Sequence, residues 1–465
     1  MRITQVKNLH EPAAFADHVA ALGVDLPWHD DTVGELAAPV VIRDGSAGEL
    51  VAPNRVAVLP MEGWDGTADG RPTDLVRRRW GRFGAGGAGL VWGEATAVVP
   101  EGRANPNQLV LNADTAADVA ELRAQLSDDQ VVGLQLTHSG RYARPADRAP
   151  RTAYAHPSLD GPSGASAASV LSDDELDELV ATFVEAAVLV REAGFDFVDV
   201  KACHGYLGHE LLTAHDRPGR YGGDLAGRTR FMRDVIQGIR SRVPDLAIAA
   251  RISIFDLAPF RPGEGGVGET TADGSYRYAF GGDGTGVGID LTEPSSVFSM
   301  LEELGVGLVS ATAGSPYYVP HVQRPAYFPP SDGYRPPEDP LVGVARILAA
   351  TAELARRHPA LAVVGSGYSY LQQWLPQVGA GAVREGGAAM VGLGRMALSY
   401  PELAADILAG RELQSRLICR TFSDCTTAPR AGLISGCFPL DPFYKEHEHR
   451  VELAAAKKAS RSRLG

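Results

Sequence analysis

Four cysteines in 465 residues are too few for a disulfide framework and point to a reducing compartment. No apolar run approaches the about 18 residues that would span a membrane, and no apolar h-region follows Met1-Arg2-Ile3-Thr4. The expectation is a cytoplasmic protein without a membrane partner. Basic blocks are also missing. The net charge is -13 with Lys and Arg scattered, which argues against nucleic acid, since phosphate backbones are bound by clustered cations. The nearest approach to a cluster, Lys457, Lys458, Arg461 and Arg463, reads as a frayed, solvated end. What is present, 45% hydrophobic and 22% charged residues, suffices for a large buried core.

Eight short apolar runs lie at 55–61, 89–98, 131–138, 195–201, 247–254, 306–313, 361–367 and 388–395. Most are near-continuous in Val, Ile, Leu and Ala, as strands buried on both faces are. Helical patterns separate them. The clearest spans 172–193, opening with a capping box, Ser172 to Glu175, before Leu176, Leu179, Val180, Phe183, Ala187 and Val190 recur at helical spacing. Others are 73–83, 117–126, 226–243, 295–304, 341–358, 371–378 and 401–409. This alternation predicts an α/β fold, a (β/α)8 TIM barrel. A doubly wound sheet is disfavoured because no Gly-x-Gly-x-x-Gly follows the first run. The expected organisation is an N-terminal extension over 1–50, a barrel over 51–410 with lid insertions at 256–292 and 314–338, and a cysteine-bearing extension over 411–465. Both insertions follow strands, so they belong to the active-site face.

Polar residues cluster where these strands run out. The fourth ends in Lys201, with His204 and Tyr206 just beyond, placed for chemistry at the mouth of a barrel; a solvated polar loop is the alternative. Gln135 alternates with Leu134 and Leu136 and can look into the mouth, seeking either a heterocycle's edge or a backbone partner. Arg251, embedded in a core strand, needs an anion or an internal ion pair. The seventh and eighth runs end in Gly365-Ser-Gly367 and Gly392-Leu-Gly394-Arg395. Glycines admit a phosphate close to the backbone, and the loops after strands seven and eight are the usual barrel phosphate site.

Taken in order, these motifs resemble those of the old yellow enzyme family of FMN-dependent NADH:flavin oxidoreductases. The resemblance covers about residues 50–440. Asn54 to Met61, Gly93-Glu-Ala-Thr96, Gln135-Leu-Thr-His138-Ser-Gly140-Arg141 and Gly392-Leu-Gly394-Arg395 carry it. Its most specific stretch runs from Ala193 through His204-Gly-Tyr206-Leu to Tyr221-Gly-Gly-Asp-Leu-Ala-Gly-Arg228-Thr-Arg230-Phe231. The resemblance implies FMN at the barrel mouth. Pro60, Met61, Ala95 and Gln135 would contact the ring and Arg251 its N1/O2 edge. Gly365, Gly367, Gly394 and Arg395 would hold the phosphate. His204 would orient substrate and Tyr206 would donate a proton. Members often form homo-oligomers, which is the expectation here.

Three features depart from the family. Lys201 stands where histidine or tyrosine is usual and favours an anionic substrate. Glu62 stands where threonine or cysteine is frequent, and would oppose flavin reduction unless protonated or paired, for instance with Lys201. Finally, Cys419, Cys425 and Cys437 lie where larger relatives, the dienoyl-CoA reductases and trimethylamine dehydrogenase, carry a 4Fe-4S cluster. The Cys425-x11-Cys437 spacing agrees, but Phe422 lies near the position of a missing cysteine. Three thiolates could hold a cluster with an outside ligand such as Asp424; otherwise they are free thiols. The chain's end near 465 leads to the expectation that NAD(P)H binds transiently at the flavin face or that a carrier protein supplies electrons. The leading function is an FMN-dependent oxidoreductase moving hydride between flavin N5 and a small anionic or carbonyl-bearing substrate. The alternatives are an amine or C–H dehydrogenase passing electrons to a carrier, a Schiff-base lyase using Lys201, and a non-catalytic flavin-binding protein.

Overall fold

A computed structural model describes residues 3–146 and 148–464, with side chains through residue 459. Eight strands, β1 (Val56–Val58), β2 (Leu90–Ala97), β3 (Val131–Thr137), β4 (Phe197–Ala202), β5 (Ala247–Ser253), β6 (Leu308–Thr312), β7 (Ala362–Gly365) and β8 (Met390–Leu393), pair in parallel and in chain order, and β8 closes on β1. Every carboxyl end therefore opens on one rim. This is the (β/α)8 barrel that the alternation predicts.

Period-two alternation divides the core in two. Inward residues (Ala57, Leu90, Trp92, Val131, Phe197, Ala249, Leu308, Val364 and Met390 among them) form an inner cluster. Outward residues pack against the helices in a larger outer cluster. The inner cluster is closed from below by the antiparallel hairpin Val40–Asp44/Gly48–Ala52, whose Val40, Ile42 and Ala52 join it. Along β4 the inward positions Phe197, Asp199 and Lys201 run from apolar floor to charged mouth.

The helix over Asp173–Glu192 opens with the expected capping box, Ser172 and Glu175 satisfying each other's main-chain N–H groups. The helix expected at 371–378 differs. Residues Tyr368–Trp374 form a 3-10 segment broken at Gln372 (φ 54°), and the α-helix proper is Leu375–Arg384. The basic tail is also ordered differently from a frayed end. His449–Leu464 is helical, with Leu453 buried beside Ala428, Phe438 and Tyr444, and Lys457 Nζ donates to Asp424 Oδ1 at 2.6 Å. One buried leucine and one ion pair anchor what composition alone presents as solvated. The side chains of Arg461 and Arg463, and residues Met1 and Arg2, lie outside the described residues.

Gly133 faces the Phe197 ring so closely that a Cβ would fall 2.2 Å from it. Both are fully interior, so neither can yield cheaply. Gly133→Ala is expected to destabilise the barrel by about 1–3 kcal/mol, the usual cost of overpacking, read as a lower denaturation midpoint at unchanged m-value.

Candidate active site

At the rim the strand ends surround a cavity of about 230 Å3. Pro60, Met61, Glu62, Ala95, Gln135, Lys201, His204, Tyr206, Arg251, Gly367, Gly394 and Arg395 all line it. Gly365 does not. It lies one layer lower, under Tyr368, whose hydroxyl would be 2.9 Å from an added Cβ. Cys425 and Cys437 line the outer part of the cavity, whereas Cys419 is buried behind it.

The segment after β1 is held by a buried ion network. Arg79 donates to both oxygens of Asp65 (2.6 and 2.9 Å) and to Glu94 Oε1 (2.8 Å); Trp80 Nε1 also donates to Glu94 Oε1 (2.9 Å). Glu94 reaches this network because β2 is bulged between Gly93 and Ala95, which turns its side chain out of the barrel and returns Ala95 to the mouth. Glu94 Oε2 accepts from Gly63 N (3.3 Å), fixing the backbone beside Glu62. Trp64, in the left-handed region (φ 52°), donates its indole N–H to Glu62.

Across the mouth, the Lys201 ammonium lies over the Tyr206 ring, 3.9 Å from its centroid. Burial lowers the Lys201 pKa, opposed by the Glu62 charge. Burial pushes the Glu62 pKa up to about 7, with Lys201 and the Trp64 hydrogen bond pulling against it. The two interact through space; no ion pair joins them among the described residues. His204 is also left-handed (φ 65°), a strained conformation held by Ser253 Oγ, which accepts from its N–H (3.1 Å), and Ser315 Oγ, which donates to its carbonyl (2.9 Å). Burial and the nearby Arg251 and Lys201 charges keep its ring neutral. Gln323 lies 3.3 Å from Nε2. Tyr206 is protonated by the same desolvation, and its hydroxyl meets Tyr317 Oη at 3.0 Å.

At the other end of the cavity two arginines carry unpartnered buried donors. Arg395 donates to Pro325 O (2.7 Å) and leaves Nη1 free of protein partners; Arg324 donates to Thr426 and leaves Nε and Nη2 so. Burial, with repulsion from Arg430 and Arg395 added to it, lowers the Arg324 pKa to about 9. Gly367 (φ 96°) turns the chain beside them, and an added Cβ on Gly394 would meet only Met61 Sδ and Ser369 Oγ, each at 3.9 Å. Arg251 Nε is similarly unpartnered, so the internal ion pair weighed for it is not found among the described residues. Unsatisfied guanidinium donors around a glycine cradle, with Gln135 and Arg251 between them and Lys201, fit a phosphorylated heterocycle such as FMN.

The family model for the NADH:flavin oxidoreductase / NADH oxidase family matches residues 46–269. The matched stretch, just under half of the chain, is similar to this family of flavin oxidoreductases. Among curated relatives, NADPH dehydrogenases of Bacillus subtilis (strain 168) and of Bacillus velezensis are each 26% identical over 286 residues, 60% of this chain and 74% of theirs. Three solved structures share the fold. A 2-naphthoyl-CoA reductase complexed with 2-naphthoyl-CoA has a TM-score of 0.69 and 18% identity, covering 89% of this chain and 57% of that one. Histamine dehydrogenase from Rhizobium sp. 4-9 has 0.67 and 22%, covering 89% and 53%. The old yellow enzyme homologue of Zymomonas mobilis has 0.56 and 20%, covering 82% and 94%. The chain thus spans little more than half the length of the first two.

In the cysteine loop, burial raises the pKa of all three thiols. Phe422 stacks on Phe328 (centroids 5.4 Å apart), and no group of three or more His, Cys, Asp or Glu is arranged to hold a metal ion among the described residues. These residues do not fit a four-thiolate 4Fe-4S centre.

Arg324, Gln323 and Tyr317 went unnoticed in the sequence. All three stand on the lid segment 314–338, whose Pro/Tyr-rich composition marks a loop but not which side chains turn inward. Arg324→Ala and Arg395→Ala are each expected to weaken FMN binding by about tenfold or more, since each removes charge-assisted hydrogen bonds, while riboflavin affinity, which involves no phosphate, stays near wild type. Equal losses for both ligands would place the phosphate elsewhere.

Proposed function

We propose that the chain moves hydride between NADPH, bound FMN and a small substrate bearing an anionic or carbonyl group, as a cytoplasmic homo-oligomer. The observation that carries this reading is the convergence of Lys201, His204 and Tyr206 on the cavity that also contains Arg324 and Arg395 with their unpartnered donors. The likeness to NADPH dehydrogenases supports NADPH as reductant.

When bound, FMN supplies a hydride donor and acceptor at its N5. Pro60, Met61, Ala95 and Gln135 would hold its ring, Arg251 its pyrimidine edge, and Gly367, Gly394, Arg395 and Arg324 its phosphate. Around the substrate, the chain supplies charge and protons. Lys201 attracts an anion or polarises a carbonyl, and its cation is worth most in this desolvated mouth. His204, neutral, offers a hydrogen bond without adding a second full charge. Tyr206 keeps its proton at neutral pH and can deliver it to a carbon made basic by hydride addition. Trp64, Tyr317 and Tyr318 group with Tyr206 and Tyr142, giving the substrate an apolar wall that excludes water.

Glu62 favours a second reading, an amine dehydrogenase that passes electrons to a carrier protein. Ionised and flanked by Trp64, it suits an ammonium group, and the chain shares its fold with histamine dehydrogenase. The two readings differ in the sign of their pH dependence. Glu62 is neutral below about pH 7 and anionic above it. An anionic substrate therefore binds better at low pH, with kcat/KM falling as pH rises through 7; a cationic substrate shows the opposite slope. In both cases Glu62→Gln removes that limb of the profile. The anion reading is contradicted if turnover is found only with amines and rises through pH 7.

Lys201→Ala is expected to leave FMN bound and to lower kcat/KM by tenfold or more, about 1.4 kcal/mol. It also tests the lyase reading, which requires that borohydride trap substrate on Lys201. Unchanged kinetics would remove Lys201 from the site.

A further inference from the structure

Asp199 lies inside the barrel, directly below Lys201 on β4, and is completely buried. Three donors from three strands converge on it. Its Oδ2 accepts from Trp92 Nε1 (2.8 Å) and Gln135 Nε2 (2.5 Å); its Oδ1 accepts from the main-chain N–H of Arg251 (2.8 Å). Packing does not require an aspartate here, since Phe197 below it and Ala249 beside it in register belong to the apolar inner cluster. A buried carboxylate is costly, and retaining one calls for a task.

Its hydrogen bonds indicate the task. An ionised carboxylate can only accept, so Gln135 must point its amide nitrogen down at Asp199, which leaves its carbonyl oxygen as the group it presents to the cavity. Arg251 presents the unpartnered guanidinium Nε. The chain therefore offers an acceptor next to donors. An isoalloxazine pyrimidine edge is complementary to that order, with an N–H beside a carbonyl and a ring nitrogen. A flipped Gln135 would set N–H against N–H.

We propose that Asp199 is a positioning residue that fixes the polarity of Gln135, and with it the acceptor-then-donor order that selects the flavin edge, and that its negative charge beneath the mouth offsets Arg251 and holds down the flavin's midpoint potential. This rests on FMN occupying the barrel mouth.

The experiment is a polarity swap in the full chain, reading the FMN dissociation constant by fluorescence quenching and the midpoint potential by dye-coupled reduction. In Gln135→Glu two acceptors face each other, and FMN affinity is expected to fall by about tenfold or more, the scale of a charged hydrogen bond. In Asp199→Asn/Gln135→Glu, made together with Trp92→Phe so that no indole N–H faces the new amide, that amide can donate to the new carboxylate, whose second oxygen again offers an acceptor; affinity is expected to recover most of that loss. Asp199→Asn alone is expected to bind FMN more weakly and to shift the potential upwards, because a negative charge that opposes reduction is gone. No recovery in the swapped pair would overturn the proposal, as would a potential unmoved by Asp199→Asn. If Asp199→Asn alone does not fold, the swapped pair and Gln135→Glu still decide it. Wild-type protein that binds no FMN would sink the cofactor reading instead, a distinct outcome.

Discussion

Closure of eight parallel strands into one hydrogen-bonded ring is the constraint on which the rest of the molecule depends. A parallel ladder that closes has no edge and no reversal of strand direction, so every strand delivers its last residue to one rim. The floor can then be filled with apolar side chains and covered by a hairpin, while polar residues accumulate only towards the top. β4 shows the gradient within one strand, from Phe197 through Asp199 to Lys201. Eight strand ends, segment 314–338 and the cysteine-bearing extension contribute to one cavity without any being adjacent in sequence to all the others.

The rim is held against its own electrostatics. Lys201, Glu62, Arg251, Arg324 and Arg395 face a space poor in solvent, and burial opposes ionisation of Lys201, Glu62, Arg251 and Arg324. His204 and Trp64 occupy left-handed backbone. A fold that sought stability alone would neutralise these groups; here it is the supporting layer whose charges are paired, as in the Arg79–Asp65–Glu94 network. Unpaired donors at the top and satisfied partners one layer below are the distribution expected of a site arranged for a charged ligand. The fully buried carboxylate of Asp199, with all three of its donors in place, belongs to that lower layer.

Much of this was legible in the sequence, for identifiable reasons. Strands buried on both faces leave continuous Val/Ile/Leu/Ala runs, and the capping box at Ser172 announces its helix, so the alternation and hence the barrel could be read directly. The mouth residues lie within four positions of strand ends, where order along the chain predicts a common rim. What escaped depends on long-range geometry. The bulge at Glu94 has no local signature, and only Arg79, fifteen positions upstream, explains it. Which side chains of segment 314–338 turn inward is decided by the barrel beneath them, which left Arg324 and Tyr317 unremarked. Asp199 also escaped, because the three donors that hold it come from other strands. The ordered helix over His449–Leu464 follows from tertiary anchoring at Leu453 and Lys457.

The most direct test of the central claim, that the rim cavity holds FMN, is the absorption spectrum of the purified chain after incubation with FMN and removal of the unbound fraction. The account predicts the two visible bands of a bound flavin at one FMN per chain, bleached when NADPH is added anaerobically. A protein that emerges colourless would contradict it, leaving the free guanidinium donors and the glycine cradle without their ligand.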